Sequence, residues 1–410
     1  MTATLVGALI ELEVGAPAHG GSCVARHDGQ VVFVRHALPG ERIIARITEQ
    51  TKHFSRAETV EVLTASEHRV VPRCSVARPG GCGGCDWQHA DAGYQREMKA
   101  VIVVEQLHRL AGIDRAVVVE ALPGDGFEWR TRARFAIDGS GRAGFRRHRS
   151  HQVQVIDGCP IAHPLVEAAG VERSEWPAVS EVEVAACVDS GERLVRTAAG
   201  RDRAMRIREG GALFEYAAGR RWRVSPGAFW QVHPQAADVL TDAVLAGLRP
   251  QPAERALDLY AGVGLFAGSL AVAVGPTGAV TAVESSTVAT TDAAQNLADL
   301  PQARLVRADV EKVLAAPDRF GAVDLVVLDP PRSGAGAAVV RRICALRPRA
   351  IAYVACDPAA LARDLATFAG LGYPLGQLRA FDLFPQTHHI ECVAILEADR
   401  SHGKEQLEEP

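Results

Sequence analysis

The stretch ALDLYAGVGLFAGSLAVAV, residues 256–274, decides the fold of the second half of the chain. A short apolar strand runs into a turn that contains Gly262 and Gly264, and an apolar helical segment follows at once. Glycines in such a turn let the backbone approach a bound molecule at the carboxyl end of the strand. The stretch therefore predicts the first strand–turn–helix unit of a Rossmann-like sheet, with a binding crevice at its edge.

Alternation of strands and helices continues through residues 225–398. Apolar runs such as AVTAVES, AVDLVVLDP and AIAYVAC are each followed by a segment with helical spacing, which predicts a parallel, doubly wound α/β sheet. The last two runs, LRAFDLFP and HIECVAILE, leave no room for a helix between them and predict an antiparallel last strand. Residues 399–410 are mostly polar and predict a flexible tail.

The remaining residues are rich in β-type patterns. Residues 1–64 alternate apolar and polar in short runs between turn residues, which predicts a small barrel of the oligonucleotide-binding (OB) type. Such a barrel either binds RNA or only packs against its neighbour. Residues 65–224 begin with a Gly/Cys-rich loop and a helical pattern at 91–112, and they continue as a mixed β region.

Composition excludes several classes of protein. The chain has 410 residues, 48% of them hydrophobic, which is enough for large buried cores. No apolar run reaches the roughly 18 residues that span a bilayer, and the N-terminus lacks the basic region of a signal peptide. Nine cysteines are few for a disulfide framework. We expect a cytoplasmic monomer without a membrane partner.

The crevice residues favour one cofactor. Glu284 ends the second strand, about 20 residues after the glycine turn, where a carboxylate accepts hydrogen bonds from ribose hydroxyls. The turn has only GxG, whereas a dinucleotide site has the fuller GxGxxG, so S-adenosylmethionine is favoured. Asp309, after the third strand, either borders the adenine or is an exposed loop aspartate.

Three further residues are candidates for the chemistry. Asp329 is followed by two prolines that stiffen its loop, so it either faces the crevice or belongs to a plain tight turn. Cys356 ends the fifth strand beside a helix N-terminus, whose dipole favours thiolate over thiol. Glu391 begins the antiparallel strand and should face Cys356, as a general base or in a structural ion pair.

A thiol and a carboxylate in one crevice suit methyl transfer to C5 of uracil. That carbon is a weak nucleophile, so a thiolate first adds to C6 and loads electron density onto C5. A base then removes the C5 proton, and the cysteine leaves. The target base must swing out of its stack to reach such a pocket. These roles fit Cys356 and Glu391.

A second group of cysteines predicts an inorganic centre. Cys82 and Cys85 flank two glycines, Cys74 precedes them by eight residues, and Cys159 follows in IDGCPIAHP. Four thiolates hold either zinc or a 4Fe-4S cluster, and spacing alone does not separate the two. A group of packing cysteines is the remaining alternative.

Arginines are concentrated in one part of the middle region. They form either an RNA track or a solvated strand face, because the overall net charge of −4 does not exclude a local basic stripe. The residues are Arg130, Arg132, Arg134, Arg142, Arg146, Arg147 and Arg149.

Six ordered motifs resemble those of the RNA uracil-C5 methyltransferase family. They are CGGCDWQHA, SPGAFWQVHP, LDLYAGVGLF, LDPPRSG, YVACDPAALARDL and FPQTHHIECVAIL, and they extend over most of the chain. The segment GGSCVAR with VVFVRHALPGE resembles the TRAM module, which points to the ribosomal-RNA branch of the family more than to the transfer-RNA branch.

The resemblance implies a set of roles. It implies a methyl-donor site that includes Gln231, Tyr260, Glu284 and Asp329, with Cys356 as nucleophile and Glu391 as base. It also implies a 4Fe-4S cluster on the four cysteines Cys74, Cys82, Cys85 and Cys159.

Three positions depart from the pattern of the family. The x7 spacing before Cys82 is longer than the usual x5, which makes Cys74 the least secure ligand. Asp357 and Leu265 stand where the family usually has asparagine.

The leading hypothesis is methylation of uridine C5 in large-subunit ribosomal RNA, with transfer RNA as the next substrate. A non-catalytic RNA-binding assembly factor and an iron–sulfur redox protein are the alternatives from other classes.

Overall fold

The computed structural model describes residues 5–199, 202–317 and 320–399, arranged in four sheets. Apart from Asp399, the predicted tail lies outside the described residues. Within the part of the chain that is described, no helix is both long and apolar enough to cross a membrane.

The N-terminal sheet is the predicted barrel. Its five strands have the order β1-β4-β5-β3-β2. The segment after β1 is joined to β2, because the N–H of Gly15 donates to the carbonyl of Val24 and the N–H of Val24 donates to the carbonyl of Ala16. Alternate residues of each strand point inward and form one apolar core. Asp28 and Gly29 both have positive φ, as a two-residue hairpin turn requires. The strands are β1 (Leu9–Glu13), β2 (Cys23–His27), β3 (Gln30–Arg35), β4 (Arg42–Gln50) and β5 (Phe54–Thr64).

The middle sheet has six strands in the order β12-β11-β10-β7-β8-β9. Its core surrounds Phe135, which stacks on Phe145 at 5.0 Å between ring centroids, and the short helix α2 (Pro164–Glu167) covers one side. The strands are β7 (Arg132–Ile137), β8 (Ala143–Arg146), β9 (Val153–Val155), β10 (Val179–Ala186), β11 (Arg193–Ala199) and β12 (Asp202–Glu209).

The C-terminal sheet confirms the predicted Rossmann-like fold with an antiparallel last strand. Its order is β17-β16-β15-β18-β19-β21-β20-β6, and β21 lies antiparallel between β19 and β20. The central strands are buried on both faces, because helices cover each side. The strands are β15 (Arg255–Leu259), β16 (Ala279–Glu284), β17 (Ala303–Arg307), β18 (Leu325–Leu328), β19 (Ala350–Ala355), β20 (Leu375–Asp382) and β21 (Glu391–Glu397). The helices are α3 (Ala236–Leu248), α4 (Leu265–Val274), α5 (Thr287–Asn296), α6 (Val310–Leu314), α7 (Ala337–Ala345) and α8 (Pro358–Ala369).

The structure divides the middle region differently from the sequence prediction. Helix α1 (Ala92–Ala111) packs on α8, and strand β6 (Val119–Ala121) pairs with β20 as the edge of the C-terminal sheet. The hairpin of β13 (Leu213–Ala217) and β14 (Arg220–Val224) packs on the same domain through Trp222. Apolar side chains from both ends of the region 65–224 are thus buried against the C-terminal domain.

Candidate active site

Cys356 and Glu391 lie opposite each other at the crevice edge of the sheet. In the antiparallel pair of β19 and β21, Ala355 is the partner of Cys392. Continuing this register by one position places Cys356 beside Glu391. Opposite residues of such a pair project their side chains to the same face. The two residues that the sequence paired are therefore brought together.

The surroundings of Cys356 do not favour the thiolate that the sequence predicted. Burial, together with the negative charge of Glu391, raises the pKa of Cys356 to about 12. The positive side chain of Arg332 opposes this shift. The raised pKa opposes the resting thiolate that the helix terminus predicts, because desolvation outweighs the favourable end of the α8 dipole.

Glu391, which is buried, and Asp329, which is half-buried, form an interacting pair of carboxyl groups. Burial raises the pKa of Glu391 well above its usual range, the charge of Asp329 adds to this, and Arg332 opposes it. Burial also raises the pKa of Asp329 to about 7. Two neighbouring carboxyl groups in a desolvated site resist ionising together, so the pair retains a proton near neutral pH.

Hydrogen bonds to Asp364 of helix α8 hold the loop after Asp329 in place. Asp364 on α8 accepts hydrogen bonds from the backbone N–H groups of Ala335 and Gly336, at 2.8 and 3.2 Å, and from the hydroxyl of Tyr353 at 2.7 Å. Three donors on one buried carboxylate fix the course of the loop. This fixed course places Asp329 at the crevice.

The glycine turn and Glu284 form the predicted donor side of the crevice. The backbone N–H of Gly262 donates to Glu284 Oε2 at 3.0 Å, and that of Ser286 donates to Oε1 at 2.6 Å. Tyr260 and Gly262 both have positive φ, which turns the chain sharply at the strand end. No atom lies within 4 Å of the place where a Cβ of Gly262 would stand, so the turn faces open space.

The other predicted donor-site residues have different surroundings. Asp309 caps α6 by accepting hydrogen bonds from the backbone N–H groups of Glu311 and Lys312. Gln231 is buried, and its carbonyl accepts a hydrogen bond from Arg132 at 2.9 Å. Leu265 is buried in the apolar cluster around Trp222. An asparagine at that position would have to place its amide in apolar surroundings.

Asp258, in strand β15 of the C-terminal sheet, is a buried carboxyl group that the sequence prediction missed. Its Oδ2 accepts the backbone N–H of Ala267 at 2.7 Å, while Oδ1 has no hydrogen-bond partner within the described residues. Burial raises its pKa well above the usual range, and the charges of Asp329 and Glu284 add to this. A buried oxygen without a partner indicates a place where a ligand or water binds.

The four predicted cluster cysteines surround one cavity. Cys74, Cys82, Cys85 and Cys159 all line it. The longer spacing after Cys74 forms a turn that returns the chain, since the backbone N–H of Cys82 donates to the carbonyl of Val76 at 2.9 Å. Among the described residues, no three His, Cys, Asp or Glu side chains are placed to hold one metal ion.

Glycines make the cysteine loop compact. A Cβ on Gly81 would lie 2.2 Å from the carbonyl oxygen of Val76, and one on Gly83 would lie 2.7 Å from the backbone nitrogen of His148. Both distances are too short for any side chain, so these positions require glycine. The loop is consequently compact on both sides of Cys82.

Comparisons with known proteins agree with this geometry. Residues 3–60 match the TRAM domain, and residues 222–399 match tRNA (uracil-5-)-methyltransferase. An uncharacterised RNA methyltransferase of Streptomyces coelicolor is 49% identical, with 96% of this chain and 94% of that protein covered. The 23S rRNA (uracil(1939)-C(5))-methyltransferase RlmD of a Shewanella species is 32% identical, with 92% and 93% covered. The chain belongs to the RNA uracil-C5 methyltransferase family.

One solved structure has the same overall fold. The Pyrococcus abyssi tRNA (uracil-54, C5)-methyltransferase, in complex with S-adenosyl-L-homocysteine, has a TM-score of 0.72 at 24% identity. The match covers 94% of this chain and 99% of that one. This member of the family is thus an S-adenosylmethionine-dependent RNA (uracil-5-)-methyltransferase with an N-terminal TRAM domain.

The arginines of the methyltransferase separate into two groups. Arg132, Arg134 and Arg142 form ion pairs with carboxylates of the middle region, so their charge is largely neutralised. Arg147 and Arg149 line a cleft between the middle region and the TRAM barrel, where Arg149 lies 3.6 Å from Glu49. The counter-charges beside β7 favour the solvated strand face over an RNA track on that strand.

The barrel contributes further arginines and an aromatic ring to this cleft. Arg35, Arg56 and Phe33 line its barrel side. At one end of the cleft, His19 Nε2 lies 3.0 Å from Oδ2 of Asp357, the neighbour of Cys356. Asp357 also caps α8 through the N–H of Ala360, as the asparagine usual in the family could do. The cleft thus leads to the turn that carries Cys356 and Asp357.

Proposed function

We propose that this enzyme methylates C5 of one uridine in 23S ribosomal RNA, with Cys356 as nucleophile and Glu391 as general base. The observation that carries the proposal is the β19–β21 register, which sets a thiol beside a buried carboxyl group at the mouth of the crevice. The ribosomal substrate is favoured by the similarity to RlmD.

Cys356 and the two carboxyl groups carry out the addition, proton removal and elimination of the proposed reaction. Cys356 Sγ adds to C6 of the flipped uracil, and its proton passes to the ionised member of the Asp329–Glu391 pair and on to solvent. S-adenosylmethionine, when bound, supplies the electrophilic methyl group for C5. Glu391, after its own proton has passed by way of the pair with Asp329 to solvent, takes the C5 proton, and the electron pair of that C–H bond restores the C5–C6 double bond as Cys356 leaves C6 as a thiolate.

The donor would occupy the crevice between the glycine turn and Asp329. Open space beside Gly262 and the unpartnered Oδ1 of Asp258 suit a polar ligand there. Gln231, Tyr260 and Asp309 would complete the set of donor contacts. Glu284 is already aligned by the two backbone N–H groups that it accepts.

A 4Fe-4S cluster held by the four cysteines is part of the same proposal. The four cysteines line one cavity, which supports a centre held by four thiolates, and the family resemblance favours iron and sulfide over zinc. Iron, acid-labile sulfide and zinc contents of the purified protein test this assignment.

We expect the enzyme to act as a cytoplasmic monomer on RNA that enters through the cleft. All nine cysteines are free, which suits a reducing compartment. Arg147 and Arg149, on one wall, and Arg56, on the other, are placed to contact phosphates, whereas Arg35 is buried against Asp86 and Glu58. Light scattering at several protein concentrations checks the monomer.

One experiment tests the substrate and the chemistry together. The purified enzyme is incubated with labelled S-adenosylmethionine and with unmodified 23S ribosomal RNA or unmodified transfer RNA, and 5-methyluridine is mapped by mass spectrometry. We expect one modified uridine in the ribosomal RNA, and none with Cys356→Ala. Modification of transfer RNA alone would assign the other substrate. Binding of RNA without product or covalent adduct would indicate a non-catalytic assembly factor.

A further inference from the structure

The segment that delivers Glu391 is a short loop with a strained backbone. It connects β20 to β21 through residues 383–390. Gln386, near its centre, is buried and has φ of 70°, a left-handed conformation that is uncommon for glutamine. Such a conformation persists only where the surrounding structure holds it.

The cysteine loop provides much of that restraint. The backbone N–H groups of Asp86 and Trp87, directly after Cys85, both donate to the carbonyl of Gln386 at 3.0 Å. Gln95 on α1 accepts the backbone N–H of Gln386 at 2.9 Å and donates to its side chain at 3.0 Å. The conformation of Gln386 thus depends on residues that lie about 290 positions earlier in the chain.

The side chain of Asp86 reaches closer to the base. Its Oδ2 lies 2.6 Å from Nδ1 of His388 and accepts the backbone N–H of the same residue at 3.2 Å. Its Oδ1 accepts a hydrogen bond from Arg35 of the barrel at 3.2 Å. Asp86 is buried, so these contacts are shielded from water. His388 is three residues before Glu391.

The barrel closes over this contact. A Cβ on Gly21 would lie 3.0 Å both from Cγ of Asp86 and from Nδ1 of His388, and Trp87 Nε1 donates to the carbonyl of Gly21 at 3.1 Å. The barrel, the cysteine loop and the β20–β21 loop therefore meet at one carboxylate.

We propose that Asp86 is a positioning residue for the general base: it holds His388, and through the β20–β21 loop it sets the position of Glu391 for removal of the C5 proton. This inference rests on the proposed function. Asp86 itself touches neither the uracil nor the methyl donor in this scheme. Its effect falls chiefly on removal of the C5 proton, because Cys356 is held by a different strand and its proton passes first to Asp329, the more readily ionised member of the pair.

Asp86→Asn is the most conservative test. The two oxygens of Asp86 accept hydrogen bonds on both sides, from Arg35 and from His388. An asparagine has one oxygen and one NH₂ group, so a donor must face a donor on one side. We expect the loop to shift while the overall shape is retained. A shift of about 1 Å at a catalytic group lowers the rate about a hundredfold.

Two RNA substrates separate positioning from a general structural effect. RNA with 5-fluorouracil has no removable C5 proton, so it forms the covalent adduct without needing the base. With Asp86→Asn, we expect adduct formation on fluorinated RNA to stay within about threefold of wild type, and single-turnover release of 5-methyluridine RNA to slow about 10- to 100-fold. Equal losses in both assays, or wild-type rates in both, would overturn the proposal.

A second variant keeps the test decisive if Asp86→Asn does not fold. His388→Ala removes the other partner of the contact, at a side chain that is one-quarter exposed. It should slow release without slowing adduct formation, and the double variant should be no slower than the slower single variant. Additive losses, or normal release by His388→Ala, would contradict the proposal.

The chain offers a matched control. His108 and Asp114 form another His–Asp contact at 2.6 Å, largely exposed at the end of α1. Asp114→Asn should leave both assays and the iron content at wild-type values. If wild-type enzyme forms neither adduct nor 5-methyluridine, the proposed function itself fails. If the wild-type enzyme is active and Asp86→Asn matches it in both assays, the positioning role fails while the proposed function stands.

Discussion

Glu391→Gln should convert the enzyme into one that captures RNA but does not release it. The amide has nearly the shape of the carboxyl group, so the packing at the start of β21 is retained. The nucleophile and the methyl-donor site remain intact. Only removal of the C5 proton is lost, and the methylated RNA stays bound to Cys356.

The size of the effect follows from the role of the base. A positioned general base contributes about 100- to 10,000-fold in rate, which corresponds to about 2.7–5.4 kcal/mol of transition-state stabilisation. We expect turnover to fall by that factor while the covalent adduct forms in a stoichiometric burst. End-labelled RNA that migrates with the protein on a denaturing gel measures the adduct, and its mass reveals the transferred methyl group.

The melting temperature of Glu391→Gln should change in a direction that the pKa of Glu391 predicts. The fold raises the pKa of Glu391, so its folded form binds the proton more tightly than the unfolded chain does. Protonated Glu391 therefore contributes its full share to the free energy of unfolding below the pKa that it has in the unfolded chain. That share is lost as the pH rises through the pKa of Glu391 in the folded protein. Glutamine has no such loss, so the variant should melt at or above the wild-type temperature at pH 8.

Two results would refute this reasoning. Turnover by Glu391→Gln within about threefold of wild type would show that another group removes the proton. Failure to form any adduct, in a variant that melts normally, would show that Glu391 acts before the methyl transfer.

Further outcomes follow from the same site. Cys356→Ala should abolish both adduct and product while the protein still binds S-adenosylmethionine, which calorimetry can measure. Because burial raises the pKa of Asp329 to about 7, turnover should rise with pH between about 6 and 8, and Asp329→Asn should remove that rise. Cys82→Ser should lower the iron content and the melting temperature together, and a variant with full iron would exclude Cys82 as a ligand. Trp222→Ala, at a fully buried side chain, should lower the free energy of unfolding by about 3–5 kcal/mol in a denaturant titration.

The crevice was predictable because the spacing of apolar residues and the succession of strands and helices determine where it lies. The apolar runs indicated the strands, and the missing helix after LRAFDLFP predicted the antiparallel pair that sets Glu391 beside Cys356. Position along the chain was enough for these residues, since strand ends of one sheet meet at one edge. The cysteines that line the cavity were recognisable from their spacing and type.

Contacts between the domains were not predictable in the same way. Nothing local in the sequence indicates that Asp86 meets His388 or that His19 meets Asp357. The pKa of Cys356 was also misjudged, because the pattern revealed the helix terminus but not the depth of burial or the charge of Glu391. Such properties depend on tertiary packing, which no periodicity encodes.

Strand β6 has a consequence for how this polypeptide is made. It pairs with β20, more than 250 residues later, so its edge and the apolar face of α1 leave the ribosome long before their partners exist. Contacts of such large sequence separation are slow to form. During synthesis, the nascent N-terminal half should therefore depend on chaperones, and a fragment that starts at residue 222 should expose the unpaired edge of β20 and aggregate.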